Sequence, residues 1–427
     1  MDIRPQHALA QSELDARRDR SAELIAVSAA RHAPRFRRPR ALFLLLAGAI
    51  ALASCDSEDE LAPAAGTSYT PVAYESLPGW GADPLAEALP AWVQSCASLA
   101  RMSDDTKIGP DDIAGTAADW RPICARITTL PDRDSAALRA LIEAELVPLH
   151  VRGATDDPGL FTGYFEPIIE AARKHGGDYV EPIYALPDDH VFVRLGLFDP
   201  ELKGHSIVGR VEDGRLIPYR KRGEIEAGAI AELAEPLFWA RDILDVFILQ
   251  VQGSGVVALP GGDRTRVGFA GHNGYNYGSL GRELIARGEL DAGRAGWDDI
   301  RAWLEANPEI MRETLAVNPR FIFFREIDGD GPTGAAGVTL TAERSMAVDP
   351  KHVPLNVPIW LDAEHPDGGD KRLRRLMLAQ DTGNAIRGAV RGDFYWGTGR
   401  AALDKASRMK SRGAYYILLP RAMMPTS

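Results

Sequence analysis

The chain is short of the groups that most enzyme classes depend on. Only three of its 427 residues are cysteine. Nine histidines are present, but none stands in a His-Glu-x-x-His or other ligand spacing, so no metal site is expected. No Gly-x-Ser-x-Gly elbow occurs, which removes the α/β-hydrolase reading. Asp381-Thr382-Gly383 occurs once, whereas a pepsin-like site needs two such carboxylates sharing a proton. Gly397-Thr398-Gly399 opens a helical stretch but lacks a third glycine and a βαβ context, so it reads as a tight turn and no cofactor is expected. Net positive charge is missing too: the formal balance is −11, which argues against a nucleic-acid partner held by phosphate neutralisation. There is no internal repeat.

What is present begins with a leader. Residues 31–40 carry most of the leader's arginines, and Ala41 to Ala53 form an apolar run. That run is too short for a permanent membrane span and suits a secretory signal. Its end, Leu52-Ala53-Ser54-Cys55, resembles the bacterial lipobox, which would make Cys55 the lipidated first residue of the mature protein. Residues 1–54 are then a signal peptide. Residues 55–78, acidic and then rich in Pro, Ala and Gly, form a tether. Export permits a disulfide between Cys96 and Cys124, the alternative being two separate buried thiols.

Apolar spacing predicts helices between 82 and 150, including Ser135 to Leu149. From Leu160 the pattern turns strand-like. Short apolar runs broken by Gly and Pro fill 170–270, with one helix near 222–234. Phe247 to Gln252 reads as a strand entering Gly253-Ser254-Gly255. Helices are expected again at 279–289, 297–306 and Gly399 to Arg412. Strands are expected at Arg320 to Arg325, Pro358 to Leu361 and Tyr415 to Leu419. Helices within a compact β-array point to a small closed barrel.

Two carboxylates carry the chemical interest. The run Leu376-Met377-Leu378-Ala379 would deliver Asp381 at the end of a buried strand. Asp393 follows on a Gly-flanked segment beside Tyr395 and Trp396. Carboxyls near aromatic faces suit acid–base work on a sugar; turn aspartates capping backbone amides are the plainer alternative. Gln252-Gly253-Ser254-Gly255 and Gly271-His272-Asn273-Gly274-Tyr275-Asn276-Tyr277 offer neutral hydrogen-bonding groups matched to sugar hydroxyls and acetamides, and equally suit hairpin turns.

Five segments in order resemble the membrane-bound lytic murein transglycosylase A family. They are Gly163 to Pro167, Val251 to Gly255, Gly271 to Gly274, Asn318 to Phe324, and Ala379 to Gly399. The resemblance spans residues 80 to 427. It implies a mainly β fold with flanking helices: a double-psi β-barrel domain with an inserted smaller β-barrel domain and a glycan groove between them. The expected division is 79–163 and 271–427 for the catalytic domain, with a three-aspartate segment at 338–420, and 164–270 for the insert. Asp349, Asp381 and Asp393 match the three aspartates. Asp393 is implied as the general acid and base, Asp381 as a supporting carboxylate and Asp349 as structural. Tyr164, Glu166, Gln252, Gly253, Ser254, Asn273, Tyr277, Thr339 and Trp396 are candidate glycan contacts. The implied activity cleaves peptidoglycan between muramic acid and glucosamine, leaving a 1,6-anhydro end, from a lipid anchor on the periplasmic face of a membrane, the outer in preference to the inner. A non-catalytic glycan-binding barrel and a lysozyme-type hydrolase are the competing readings.

Overall fold

The computed structural model describes residues 66–427 except 132–133, 156–157, 294, 330, 384 and 425–427. The signal segment, Cys55 and residues 56–65 lie outside the described residues; the rest of the expected tether, 66–78, is packed on the fold instead, with Ser68–Pro71 paired to Leu146–Arg152 and Leu77 buried in the core. None of the described helices is long and apolar enough to cross a membrane.

An eight-stranded sheet carries the larger core. Its order is Ser68–Pro71, Leu146–Arg152, Lys410–Pro420, Pro358–Glu364, Arg372–Asp381, Ser345–Val348, Arg391–Thr398 and Gly159–Glu166. Lys410–Pro420 pairs again with Gly159–Glu166, which closes the ring. Most pairings are antiparallel, but Ser345–Val348 runs parallel to Arg372–Asp381, and Gly159–Glu166 parallel to Arg391–Thr398. Closure leaves no long free edge within the ring.

Helices Leu89–Ala100, Ala117–Ile127 and Ser135–Glu145 cover this barrel, burying Trp92 and Trp120 completely. The helix expected to reach Leu149 stops at Glu145, and its last residues become the strand Leu146–Arg152. A disulfide joins Cys96 to Cys124, with their Cα atoms 5.4 Å apart, and so ties the first two helices together.

A second, six-stranded sheet is inserted. Its order is Ile322–Ile327, Arg264–His272, Ser254–Ala258, Ile168–Ala172, Pro236–Ala240 and Glu181–Tyr184. A bridge from Ala185 to Phe324 brings its two ends together. Ile169, Ile183, Phe238, Val257, Val267 and Phe324 fill its interior. A three-stranded sheet, Val191–Arg194, Ser206–Glu212 and Arg215–Pro218, projects from this unit. The boundary expected at 270 falls inside the strand Arg264–His272, and the sheet continues to Ile327. The boundary at 163 likewise falls within Gly159–Glu166, the strand that leads from one barrel into the other.

The strand expected at Phe247 to Gln252 is a helix, Ile243–Gln252. The Asp242 carboxylate accepts from the Leu244 amide at its start, and Gly253 ends it at φ 82°, a conformation that suits glycine. Apolar residues line nearly every side of this helix because it is buried between clusters. Continuous hydrophobicity of that kind cannot separate a buried helix from a buried strand. The helix expected at Gly399 to Arg412 is shorter, Arg400–Arg408, and Lys410 already belongs to the closing strand.

Candidate active site

One row of residues crosses the first barrel. Asp381 is the register partner of Ala347, Ala347 of Asp393, Asp393 of Thr162, and Thr162 of Lys410. Partners on neighbouring strands share a face of the sheet. The two carboxylates therefore flank the small side chain of Ala347, with Cα atoms about 10 Å apart across two strand spacings.

Asp381 reaches this face through a β-bulge. The register shifts between Met346, opposite Ala379, and Ala347, opposite Asp381, so Gln380 is the extra residue. Without it, alternation would return Asp381 to the buried side of Ala379. The fully buried Gln380 amide is bound on both ends. Nε2 donates to the Ala91 carbonyl at 2.6 Å and to Ser95 Oγ at 2.9 Å, while Oε1 accepts from Ser345 Oγ at 2.6 Å. The bulge is thus fastened to the covering helix.

The two carboxylates differ in what they accept. Asp381 Oδ1 takes the backbone amides of Ala335 and Thr382, each at 2.9 Å, and Oδ2 takes the Tyr164 hydroxyl at 3.1 Å. Burial raises its pKa, opposed by those three donors. Asp393 accepts on Oδ1 from Thr162 Oγ1 at 2.5 Å. Burial pushes its carboxyl up to about 6, against the lowering effects of Thr162 and Arg391 and with a further upward push from the Asp381 charge. Of the pair, Asp393 is the one poised to exchange a proton near neutral pH.

Both carboxylates open into a cleft of about 900 Å³ between the two barrels. The first barrel contributes Tyr164, Tyr395 and the loop Thr382 to Arg387; the insert contributes Gln252, Gly253, Ser254, Phe269, His272 and Tyr277. Phe269 and Tyr277 are 48% and 42% exposed, large for aromatic residues, and offer faces for sugar rings. Phe269 sits at a bulge in Arg264–His272 that ordinary sequence patterning does not reveal. His272 accepts from the Gly274 amide on Nδ1 at 2.9 Å; burial, Arg320 and His190 lower its pKa to about 4, so its ring is neutral near neutral pH.

Tyr164, Gln252, Gly253, Ser254 and Tyr277 line the cleft, with Gln252 Oε1 accepting from the Phe165 amide at 3.1 Å. Four other expected contacts do not. Glu166 is fully buried at the seam between the barrels, ion-paired with Arg266 and accepting from Thr398 Oγ1 at 2.8 Å. Asn273 is fully buried as a backbone clasp. Its Nδ2 donates to the carbonyls of Arg220 and Pro319 at 2.9 and 2.8 Å, and its Oδ1 accepts from the Phe321 amide at 2.8 Å. Trp396 points into the barrel core, packed on Phe394 and donating to Met409 Sδ. The period-two alternation of Arg391–Thr398 gives the cleft Asp393 and Tyr395 and gives the core Phe394 and Trp396. Thr339 pairs with Thr333, and it is Thr333 and Leu340 that face the cleft.

Asp349 stays out of the cleft as well. It is buried, and its Oδ2 accepts from the Gly388 amide at 2.8 Å while Oδ1 accepts from the Lys351 amide at 3.2 Å. It anchors the loop that follows Asp381. Thr162 was not singled out from the sequence, since a lone threonine in a strand carries no signal; only the register reveals it. Among the described residues no group of three or more His, Cys, Asp or Glu is placed to hold a metal.

The chain matches two family models, the MltA specific insert domain over residues 160–325 and the 3D domain over residues 344–419. It is 33% identical to membrane-bound lytic murein transglycosylase A of Escherichia coli K12 over 268 residues, 60% of this chain and 65% of that relative's length. The crystal structure of MltA from Neisseria gonorrhoeae, in its monoclinic form, superposes with a TM-score of 0.73 at 33% identity, covering 84% of this chain and 94% of the other. E. coli MltA with bound chitohexaose superposes at 0.61 with 23% identity, covering 84% and 97%, and shares the fold. The insert model covers the second barrel, the 3D model covers the segment that carries Asp349, Asp381 and Asp393, and both fall in this order within a matching two-barrel frame: the chain belongs to the membrane-bound lytic murein transglycosylase A family.

Proposed function

We propose that this protein cleaves the bond between N-acetylmuramic acid and N-acetylglucosamine in peptidoglycan by intramolecular transglycosylation, with Asp393 as the single acid–base group. The carrying observation is the half-buried Asp393 carboxyl, poised near pH 6 in the wall of an open cleft. Protonated Asp393 gives its proton to the glycosidic oxygen as the C1–O bond breaks. The resulting carboxylate takes the proton of the muramic C6 hydroxyl as that oxygen bonds to C1. The ring closes as a 1,6-anhydro sugar, and no water is consumed. A hydrolase would instead need a second carboxylate to activate water or to attack C1. Asp381, occupied by two backbone amides and a tyrosine hydroxyl, is better placed to hold the field and the loop than to do either. Binding of chitohexaose by a protein of the same fold supports a glycan in the cleft. Attachment through lipidated Cys55 to the periplasmic face of the outer membrane completes the reading.

Digestion of sacculi in water enriched in heavy oxygen tests it. Muramic ends should be anhydro and unlabelled. Labelled reducing ends as the main product would replace the transglycosylase with a hydrolase.

A further inference from the structure

Asp393 has two oxygens, and the structure treats them differently. Arg391 Nη2 donates to Thr162 Oγ1 at 2.8 Å, and Thr162 Oγ1 lies 2.5 Å from Asp393 Oδ1. A guanidinium has no acceptor, so the threonine oxygen must accept from Arg391, and its own hydrogen is then directed to Asp393. Arg391 is fixed in turn by donating to the carbonyls of Leu160, at 3.2 Å, and of Gly392. Thr162 is β-branched, with restricted χ1, and stands directly opposite Asp393 in the register.

We infer that Arg391 and Thr162 are positioning residues that form a one-way donor chain, reserving Oδ1 of Asp393 as a permanent acceptor and leaving Oδ2 as the atom that carries the catalytic proton into the cleft. This rests on the acid–base role of Asp393 proposed above. Its first consequence is orientation: the proton is held on one oxygen in every turnover. Its second is acidity. An arginine directly on the carboxylate would hold it ionised. Burial without a donor would hold the proton too tightly to give up. A hydroxyl placed between the two passes on part of the cation's pull.

Other charges bear on the same carboxyl. Asp381 comes from Arg372–Asp381, Tyr164 from Gly159–Glu166 and Tyr395 from its own strand. Lys410, the register partner of Thr162, stands on the same face two strands away. Arg387 in the loop after Asp381, and Arg320, Arg325 and His272 of the insert, line the cleft around it. Each is unchanged when Thr162 alone is altered, so that substitution isolates the chain.

The experiment measures kcat/KM against pH on purified glycan strands for the parent, Thr162→Val and Thr162→Ser. Both Thr162 and Arg391 lower the Asp393 pKa. Removing the hydroxyl should therefore move the alkaline limb up by about one pH unit and lower the low-pH plateau by at least about tenfold. Thr162→Ser keeps a donor, so its limb should stay with the parent's. A carbon-13 titration of the Asp393 carboxyl, assigned by its loss in Asp393→Asn, reads the same shift when turnover is too slow to follow. A Thr162→Val limb and carboxyl titration both coincident with the parent's, in a variant that melts cooperatively, would overturn the donor chain. A parent with no carboxyl titration at Asp393 near pH 6 would instead sink the acid–base assignment beneath it.

Discussion

Asp393 is held where it is at a cost to the fold, and replacing it should make the protein more stable above pH 6. Burial raises its pKa from 3.8 to about 6. A shift of roughly two units corresponds to about 3 kcal/mol between the two protonation states. The folded pKa lies above the unfolded one, so the folded state holds the proton more tightly. That advantage is present below the unfolded value and is lost as pH rises through the folded one. Near pH 4 the parent is protonated in its folded state and nothing is penalised. By about pH 7 the folded protein must hold a buried charge, and it forfeits about 3 kcal/mol relative to a neutral side chain of the same shape. Asp393→Asn keeps an oxygen to accept from Thr162 and never ionises. Urea unfolding of parent and variant, followed by the fluorescence of the eight tryptophans, should show equal stability near pH 4. The variant should gain steadily between about pH 4 and 6 and level off near 3 kcal/mol above that. A gap that does not change with pH, or a variant weaker than the parent at pH 7.5, would refute the electrostatic reasoning.

Further outcomes follow from the same geometry. Asp393→Asn should lose at least about a hundredfold in lytic rate, the range expected for a removed acid–base group, while Asp381→Asn should lose less; equal and complete loss in both folded variants, read by release of soluble muropeptides, would favour two-carboxylate chemistry. Trp396→Ala should destabilise by about 3–5 kcal/mol through its cavity, yet leave KM for glycan near the parent's, because the ring faces the core; a raised KM with unchanged stability would return it to the cleft. Replacing Cys96 and Cys124 together by serine opens a span of 28 residues and should cost about 3–4 kcal/mol by loop entropy, seen as a lower urea midpoint that reductant reproduces in the parent. Cys55→Ala should shift the protein from the detergent-rich to the aqueous phase on partitioning, and unchanged partitioning would count against the lipid anchor.

Much of the cleft was readable in the chain because its key residues lie in short, chemically marked segments. An apolar strand ending in Asp381, glycines around Asp393 and the Gln252 to Gly255 turn all announce themselves locally. What escaped was non-local. Trp396 looks like a sugar platform because it stands close to Asp393 in sequence, but it is three positions on, and an odd separation within a strand places two residues on opposite faces. Glu166 and Asn273 are polar residues in glycine-rich company, which suits a ligand as well as it suits a buried clasp; only the partners Arg266, Arg220, Pro319 and Phe321 decide between them. The helix Ile243–Gln252 was hidden by its own burial, since a segment covered on most sides loses the periodicity that would identify it. Thr162 and Phe269 depend on a register and a bulge, and neither exists until distant strands meet.

The row from Asp381 to Lys410 has a consequence for when the proposed chemistry becomes available during folding. Thr162 and Asp393 are separated by 231 positions, and the whole inserted barrel lies between them in the chain. Closing so long a loop is slow, and contacts of that span form late in folding. A nascent or partly folded chain thus has Asp393 without its hydrogen-bond partner, without its cleft and without the raised pKa that burial gives it. On the proposed function, the capacity to cut glycan is tied to completion of the ring, so incompletely folded copies would be chemically harmless.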